Sequence, residues 1–424
     1  MNLAISSALI ALFALSIPIA VAIGLTAVIG LYFFSSVPLL VVPQRMFVGL
    51  DSFPLMAVPF FILAGQIMSN GGIATRMVEF ARSLVGGIQG GLACTCVVTC
   101  MMFAAISGSS VATTFAIGAI LIPAMVARGY PPPMAASIQA SSAELGIIIP
   151  PSVPLILYGV STQTSITQLF LAGFGPGLMI GLALIVMVIV WCRIKGYGTQ
   201  DGDLRSPIWP AFRSAFLALL MPVIIIGGIY GGIFTPTEAS AVAVLYGLFL
   251  GIVVYRTIKV SDLPRIFRES ALSAGTIMLI IAAASILSFV IGRSGLASDI
   301  GAWAQSTFDN HYTFLLAINM LLLVVGMFIE TSAAILILAP ILTPIAMSFG
   351  IDPVHFGIVI VVNLALGMFT PPLGVNLFAA AQVAKLPVEQ LFRFLLPPVL
   401  TIIACLMLIT YVPMISLFLR DLFY

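Results

Sequence analysis

Apolar runs of about 20 residues, enough to span a bilayer, fill most of this 424-residue chain and are parted by short polar breaks. The breaks fall on Pro and Gly more often than on charge, and their punctuation repeats. Residues 60–190 and 283–413 match at offsets of 221 to 223 positions. Gly72 and Ala74 return as Gly295 and Ala297, and Pro123, Gly129 and Pro132 as Pro344, Gly350 and Pro353. Leu145-Gly146 and Pro150-Pro151 return as Leu366-Gly367 and Pro371-Pro372. Gln168-Leu169-Phe170 and Pro176 return as Gln390-Leu391-Phe392 and Pro398. Residues that dictate backbone breaks are being matched, so a shape is repeated rather than a composition. The pattern predicts helices over about 54–70, 214–235 and 237–256. Residues 3–42 read as membrane segments, either one long tilted crossing or two short ones.

The chain is 61% hydrophobic and 7% charged, with mean hydropathy +1.23. Soluble domains carry roughly 25% charged residues, so the fold class is an all-α polytopic membrane protein. Net charge is only +2, and no basic stripe offers a nucleic-acid surface. No Lys or Arg precedes Arg45, so the start lacks the positive region of a cleaved signal peptide.

Loop charges orient the segments. Arg76, Arg82 and Arg128, the linker group Arg193, Lys195, Arg205 and Arg213, then Arg256, Lys259, Arg265 and Arg268, and finally Lys385 and Arg393 mark one side. Residues 160–168, 295–312 and 350–354 carry at most Asp299, Asp309 and Asp352 and mark the other. The positive-inside rule places the first set in the cytoplasm. Four regions result: N-terminal membrane helices 1–53, a first repeat 54–192, linkers with two helices 193–269, and a second repeat 270–424. The repeats then run in opposite directions, which places a binding site near the midplane at their interface. This parity holds only if 88–127 and 313–349 each enter and leave on one side, as two crossings or as a re-entrant hairpin. Their polar mid-points, Ser107-Gly108-Ser109-Ser110 and Glu330-Thr331-Ser332, favour hairpins, since irregular backbone at membrane depth needs protein or a watery cavity around it.

Each Pro-Pro pair removes two backbone donors, and carbonyls one turn earlier lose their partners. Freed carbonyls and nearby hydroxyls suit Na⁺, a hard cation. Candidate cation ligands are Ser107, Gly108, Gly146 and Pro150 in one half and Glu330, Gly367, Thr370 and Pro371 in the other. The plain alternative is a kinked helix satisfied by neighbouring hydroxyls. Half-helices starting at the tips present free N–H groups and a positive dipole end to a carboxylate. Ser109, Ser110 and Thr113, with Thr331 and Ser332, are the candidate substrate contacts there, or simple caps; Asn363 and Asn376 flank the second break. Arg293 offers a bidentate hold on an anion or snorkels to the outer interface. Glu144, Glu330 and Arg293 stand opposite Ala365, Ser109 and Asn70 and so break the pseudo-symmetry. Glu238 in Thr235-Pro236-Thr237-Glu238 reads as a helix start. The five cysteines read as packing residues, and neither His311 nor His355 has a metal-spaced partner.

The chain resembles the large membrane subunit of tripartite ATP-independent periplasmic (TRAP) transporters over essentially its whole length. The residues carrying the likeness are Ile106–Gly118, Glu144–Ser152, Gly232–Ser240 and Thr370–Phe378. The resemblance implies an elevator-type transport domain with two hairpins held by a scaffold. It also implies Na⁺-coupled import of a small organic anion of the C4-dicarboxylate, sugar-acid or sialic-acid class. A small four-helix membrane subunit, here a separate chain, and a periplasmic substrate-binding protein would be partners in the bacterial inner membrane. A proton-coupled anion transporter without a binding protein, or an ion channel, are the competing readings. No elbow or phosphate loop supports an enzyme.

Overall fold

A computed structural model describes residues 2–204 and 207–424, so Arg205 of the basic linker lies outside the described residues. Among the described residues there is no strand, and nine helices are long and apolar enough to cross a membrane. Helices satisfy their own backbone groups, which lipid cannot do.

The chain opens with Asn2–Ala14, Ile19–Phe34 and Val41–Leu50, so the 3–42 region folds as two short helices. Next come Ala57–Asn70, Ile73–Val85, the hairpin arms Gly91–Ser107 and Ser110–Ala127, and a broken helix. Its first half is Pro132–Ala143 continued by Leu145–Ile148, and its second half is Val153–Thr162. The long helix Ile166–Lys195 follows. After Ile208–Tyr230 and Pro236–Leu248 the same succession returns: Leu263–Ser294, Leu296–Thr307, arms His311–Phe328 and Thr331–Ser348, broken helix Pro353–Met368 with Val375–Ala384, then Phe392–Tyr411. Met414–Phe423 ends the chain. Both breaks hold their Pro-Pro pair, and both Pro-Pro bonds are cis.

Some charged stretches read as loops are helical. Arg76 and Arg82 sit on Ile73–Val85, whose Ile73, Met77 and Ala81 face inward. The Arg76 guanidinium lies 3.7 Å from the Tyr255 ring centroid. The expected outer loop 295–312 contains Leu296–Thr307. Such short amphipathic helices carry too much polar surface to register as apolar runs. The linker 193–213 is also mostly ordered into helix ends, and Asp201 in its middle is buried. Asp201 Oδ2 accepts from the Leu92 amide at 3.1 Å and from the Tyr130 hydroxyl at 2.5 Å. Arg128 donates to the Gln200 carbonyl at 2.9 Å. The linker is thereby fastened to the base of the first hairpin.

The core surrounds the first halves of the two broken helices. Every residue from Met134 to Ala143 and from Val354 to Met368 is buried, the polar Ser137, Gln139, Ser141, Ser142, His355 and Asn363 among them. Around this core the halves exchange partners. Val153–Thr162 packs on Thr331–Ser348, and Val375–Ala384 packs on Ser110–Ala127. The Tyr158 hydroxyl donates to the Pro353 carbonyl at 2.7 Å and meets Thr343 Oγ1 at 3.2 Å. Outside lie Ile19–Phe34 and Val41–Leu50 against Leu263–Ser294, and Ala57–Asn70 against Pro236–Leu248. Leu178, Leu182 and Val186 form an exposed apolar stripe on Ile166–Lys195, a surface suited to hydrocarbon.

Candidate substrate and cation sites

The first hairpin turns at Gly108, whose φ of +60° suits glycine. Ser109 is extended and starts the second arm, its hydroxyl accepting from the Ala112 amide at 3.4 Å. This tip presses on the break of its own repeat. Val153 N donates to the Gly108 carbonyl at 3.4 Å. A Cβ placed on Gly146 would lie 2.8 Å from Thr113 Oγ1 and 3.0 Å from the Ser109 carbonyl; one on Gly108 would lie 3.0 Å from the Pro151 carbonyl. The Ser107 and Thr113 hydroxyls are 2.9 Å apart, and Thr113 also donates to the Ser109 carbonyl at 2.8 Å. Hydroxyl and carbonyl oxygens of tip and break therefore gather where only glycines leave room.

The second hairpin closes on its break differently. Gly326, in the outer arm, lies against Gly367 so tightly that a Cβ on Gly367 would fall 2.9 Å from the Gly326 carbonyl oxygen. A Cβ on Gly374 would meet the Met368 and Thr370 carbonyls at 2.8 and 2.9 Å. The hydroxyls of Ser152 and Thr370 donate to the Ile147 and Leu366 carbonyls, each at 2.5 Å. The Ile147 carbonyl, freed by Pro151, is thus satisfied by a side chain, as in the plain kinked-helix reading. Other oxygens around Gly108 and Gly374 remain clustered in an arrangement a hard cation can use.

Between the tips lies a cavity of about 350 Å³, within the range of small-molecule sites. Ser107, Gly108, Ser109 and Ser110 line it from one tip and Glu330 and Ser332 from the other. Gly65, Gln66 and Ser69 of Ala57–Asn70 and Ser273 of Leu263–Ser294 form the facing wall. Glu330 is the only ionisable side chain lining it among the described residues. Its Oε2 accepts from the amides of Ser332 and Ala333 at 2.9 and 3.2 Å, and its Oε1 from the Ser332 hydroxyl at 2.9 Å. That carboxylate caps the positive end of Thr331–Ser348.

Five of the candidate substrate contacts do not line the cavity. Thr113 lies beneath the first tip, and Thr331 turns its hydroxyl to the Met368 sulfur at 2.8 Å. Asn363 is buried, donating to Asn319 Oδ1 at 2.6 Å and to the Val359 carbonyl at 3.0 Å. Asn376 is buried against Glu144. Arg293 also lies away from it, exposed in the last turn of Leu263–Ser294. Glu238 forms a capping box with Thr235. Gln66, Ser69, Ser273 and Gly326 were not singled out in the sequence. Only the position of Gly326, four residues before Glu330 in an otherwise bulky apolar arm, could have drawn attention.

Paired breaks and paired tips around one cavity, inside a lipid-facing helical shell, define a multi-pass membrane transport protein. The chain belongs to the tripartite ATP-independent periplasmic transporter family, DctM component, whose description matches residues 7–415. It is 42% identical to the C4-dicarboxylate TRAP transporter large permease protein DctM of Rhodobacter capsulatus, over 98% of this chain and 97% of that one. It is 43% identical to the isethionate TRAP transporter permease protein DctMQ of Oleidesulfovibrio alaskensis, over 95% of this chain and 64% of that protein. In fold it is similar to the YdaH transporter of Alcanivorax borkumensis, with a TM-score of 0.64 at 15% identity, covering 87% of this chain and 86% of that one. Its place is the bacterial inner membrane.

Proposed function

We propose that the protein imports a small organic anion, of the C4-dicarboxylate, sugar-acid or sialic-acid class, by coupling its entry to Na⁺. The observation that carries this reading is the meeting of a hairpin tip and a glycine-bearing break in each half, on either side of one cavity. Oxygens from Ser107, Ser109, Thr113 and Pro151 would take one Na⁺, and the carbonyls near Gly367 and Gly374 with Thr370 the other. No Lys or Arg lines the cavity among the described residues. The anion's charge would then be met by bound Na⁺ and by the helix start at Ser110, since the start of Thr331–Ser348 is already capped by Glu330. Coupling follows, because the anion site is complete only when the cations are present.

The cavity lies on the seam between the hairpins and the helices Ala57–Asn70 and Leu263–Ser294. Tips and breaks would move as one body along that seam, carrying the site across the membrane as an elevator while the peripheral helices stay fixed. The opposite loop-charge bias of the two repeats supports their inverted orientation. Delivery by a periplasmic binding protein and assembly with a small four-helix membrane subunit accord with a family called tripartite. The isethionate relative, of which this chain spans 64%, leaves room for such a subunit in one polypeptide. Proteoliposomes holding the complex should take up substrate with outside Na⁺ and stop when K⁺ replaces it. Uptake that persists in K⁺ overturns the coupling.

A further inference from the structure

A second cavity, of about 490 Å³, lies in the first half, and every side chain lining it is apolar. Met101, Met102 and Ala105 of Gly91–Ser107 form one wall, and Pro222 and Ile226 of Ile208–Tyr230 another. Phe174 and Leu178 of Ile166–Lys195, Leu419 of the last helix and Ile149 of the first break complete it. Leu178 is 54% exposed and heads the stripe that continues through Leu182 and Val186. The mouth is therefore continuous with the surface that faces hydrocarbon.

The break is a wall shared by two cavities. Ile147 lines the substrate cavity and Ile149 this one. The long helix Ile166–Lys195 holds that strip of backbone closely. A Cβ on Gly177 would fall 2.4 Å from Ile149 Cγ1, and one on Gly173 would fall 2.7 Å from the Ile148 carbonyl and 3.2 Å from Pro150 Cγ. Whatever fills the apolar cavity bears on the residue directly before Pro150-Pro151. Water is a poor occupant, because apolar cavities stay dry. A gap without partner atoms forfeits the dispersion contacts of its lining. The volume falls within the range of small-molecule sites, and hydrocarbon chains are the solvent at its mouth.

We propose that this cavity is a phospholipid site. One acyl chain drawn from the bilayer enters at Leu178 and lies between the hairpin arm and Ile208–Tyr230, against Ile149, so that the lipid backs the first break. The site needs neither Na⁺ nor substrate, and its test is read without them, so a failure of Na⁺ coupling leaves it standing. The purified complex is stripped of lipid in detergent, given a near-equimolar amount of dioleoyl phosphatidylethanolamine and weighed intact by native mass spectrometry. The wild type should retain one phospholipid. Met102→Trp fills the cavity from the hairpin arm, and Leu178→Trp fills its mouth. Each should weaken retention about 10-fold, the worth of roughly two methylenes kept from burial. Val186→Trp, farther along the stripe, should retain lipid as the wild type does. If Met102→Trp fails to fold, Leu178→Trp decides, since that position is already exposed. A wild type that retains no lipid, or retention unchanged in either folded variant, overturns the proposal. So does release of the small membrane subunit by Leu178→Trp with the lipid still bound, which would make the cavity a seat for protein.

Discussion

Gly146→Ala is the sharpest probe of the cation site proposed for the first half. The added methyl would sit 2.8 Å from Thr113 Oγ1 and 3.0 Å from the Ser109 carbonyl. One neighbour is backbone and the other is held by two hydrogen bonds, so neither yields freely. Overpacking of this kind costs about 1–3 kcal/mol. On the proposed reading a tip whose oxygens grip Na⁺ would be held against the break, whereas an ion-free tip would be freer to relieve the strain. The strain would then fall on the loaded state, and the half-saturating Na⁺ concentration should rise by up to about 5- to 150-fold, at 1.4 kcal/mol per decade. The assay is initial uptake against Na⁺ concentration in proteoliposomes, at saturating substrate. Gly227→Ala, where the new methyl meets nothing within 4 Å, is the control and should match the wild type. If Gly146→Ala activates at the wild-type Na⁺ concentration, the tip and break around Gly146 are not a cation site.

Replacing Pro150-Pro151 by Ala-Ala should let the helix continue and weaken Na⁺ dependence in the same assay; an unchanged Na⁺ curve would count against ligation there. Arg293→Ala should leave substrate affinity within about 2-fold of wild type, since surface changes away from a site stay within ~0.5 kcal/mol; a loss of affinity would restore Arg293 as an anion clamp. Asp352 caps Pro353–Met368 and pairs with Arg420 at 2.6 Å. Burial raises its pKa, but the Arg420 hydrogen bond, the amides of His355 and Val354 and the Arg420 charge outweigh this and set it below the ordinary carboxylate value. The pair thus stabilises the fold above pH ~4, the unfolded value, and the contribution fades as pH falls through the lower folded one. Asp352→Asn keeps a cap and loses the charge. It should cost on the order of 1 kcal/mol at neutral pH for this part-exposed pair, and nothing in thermal melts well below pH 4.

Backbone breaks were legible because they are local: Pro-Pro and Gly108 act on their own turn, so tips and breaks could be located from residue type alone. Facing partners were not. Nothing in the spacing of Gly326 and Gly367 says that their helices touch, nor that Gln66 and Ser273 line one cavity with Ser109, because such arrangements depend on helix rotation over long chain separations. Asn363 and Asn376 misled for a related reason. Both flank a break, yet each points into packed protein, where its amide serves buried partners. Arg293 was ambiguous from sequence, as an arginine ending an apolar run suits either a site or an interface.

The exchange of partners between halves bears on how the molecule is made. Glu144 meets its amide partner on Asn376, and Tyr158 meets its carbonyl on Pro353, more than 190 residues downstream in each case. During synthesis the first half therefore enters the bilayer with its innermost polar groups unmatched. They must wait, near water or the insertion machinery, until the second half arrives. The two halves mature together, and a truncated first half would be a substrate for quality control rather than a stable intermediate.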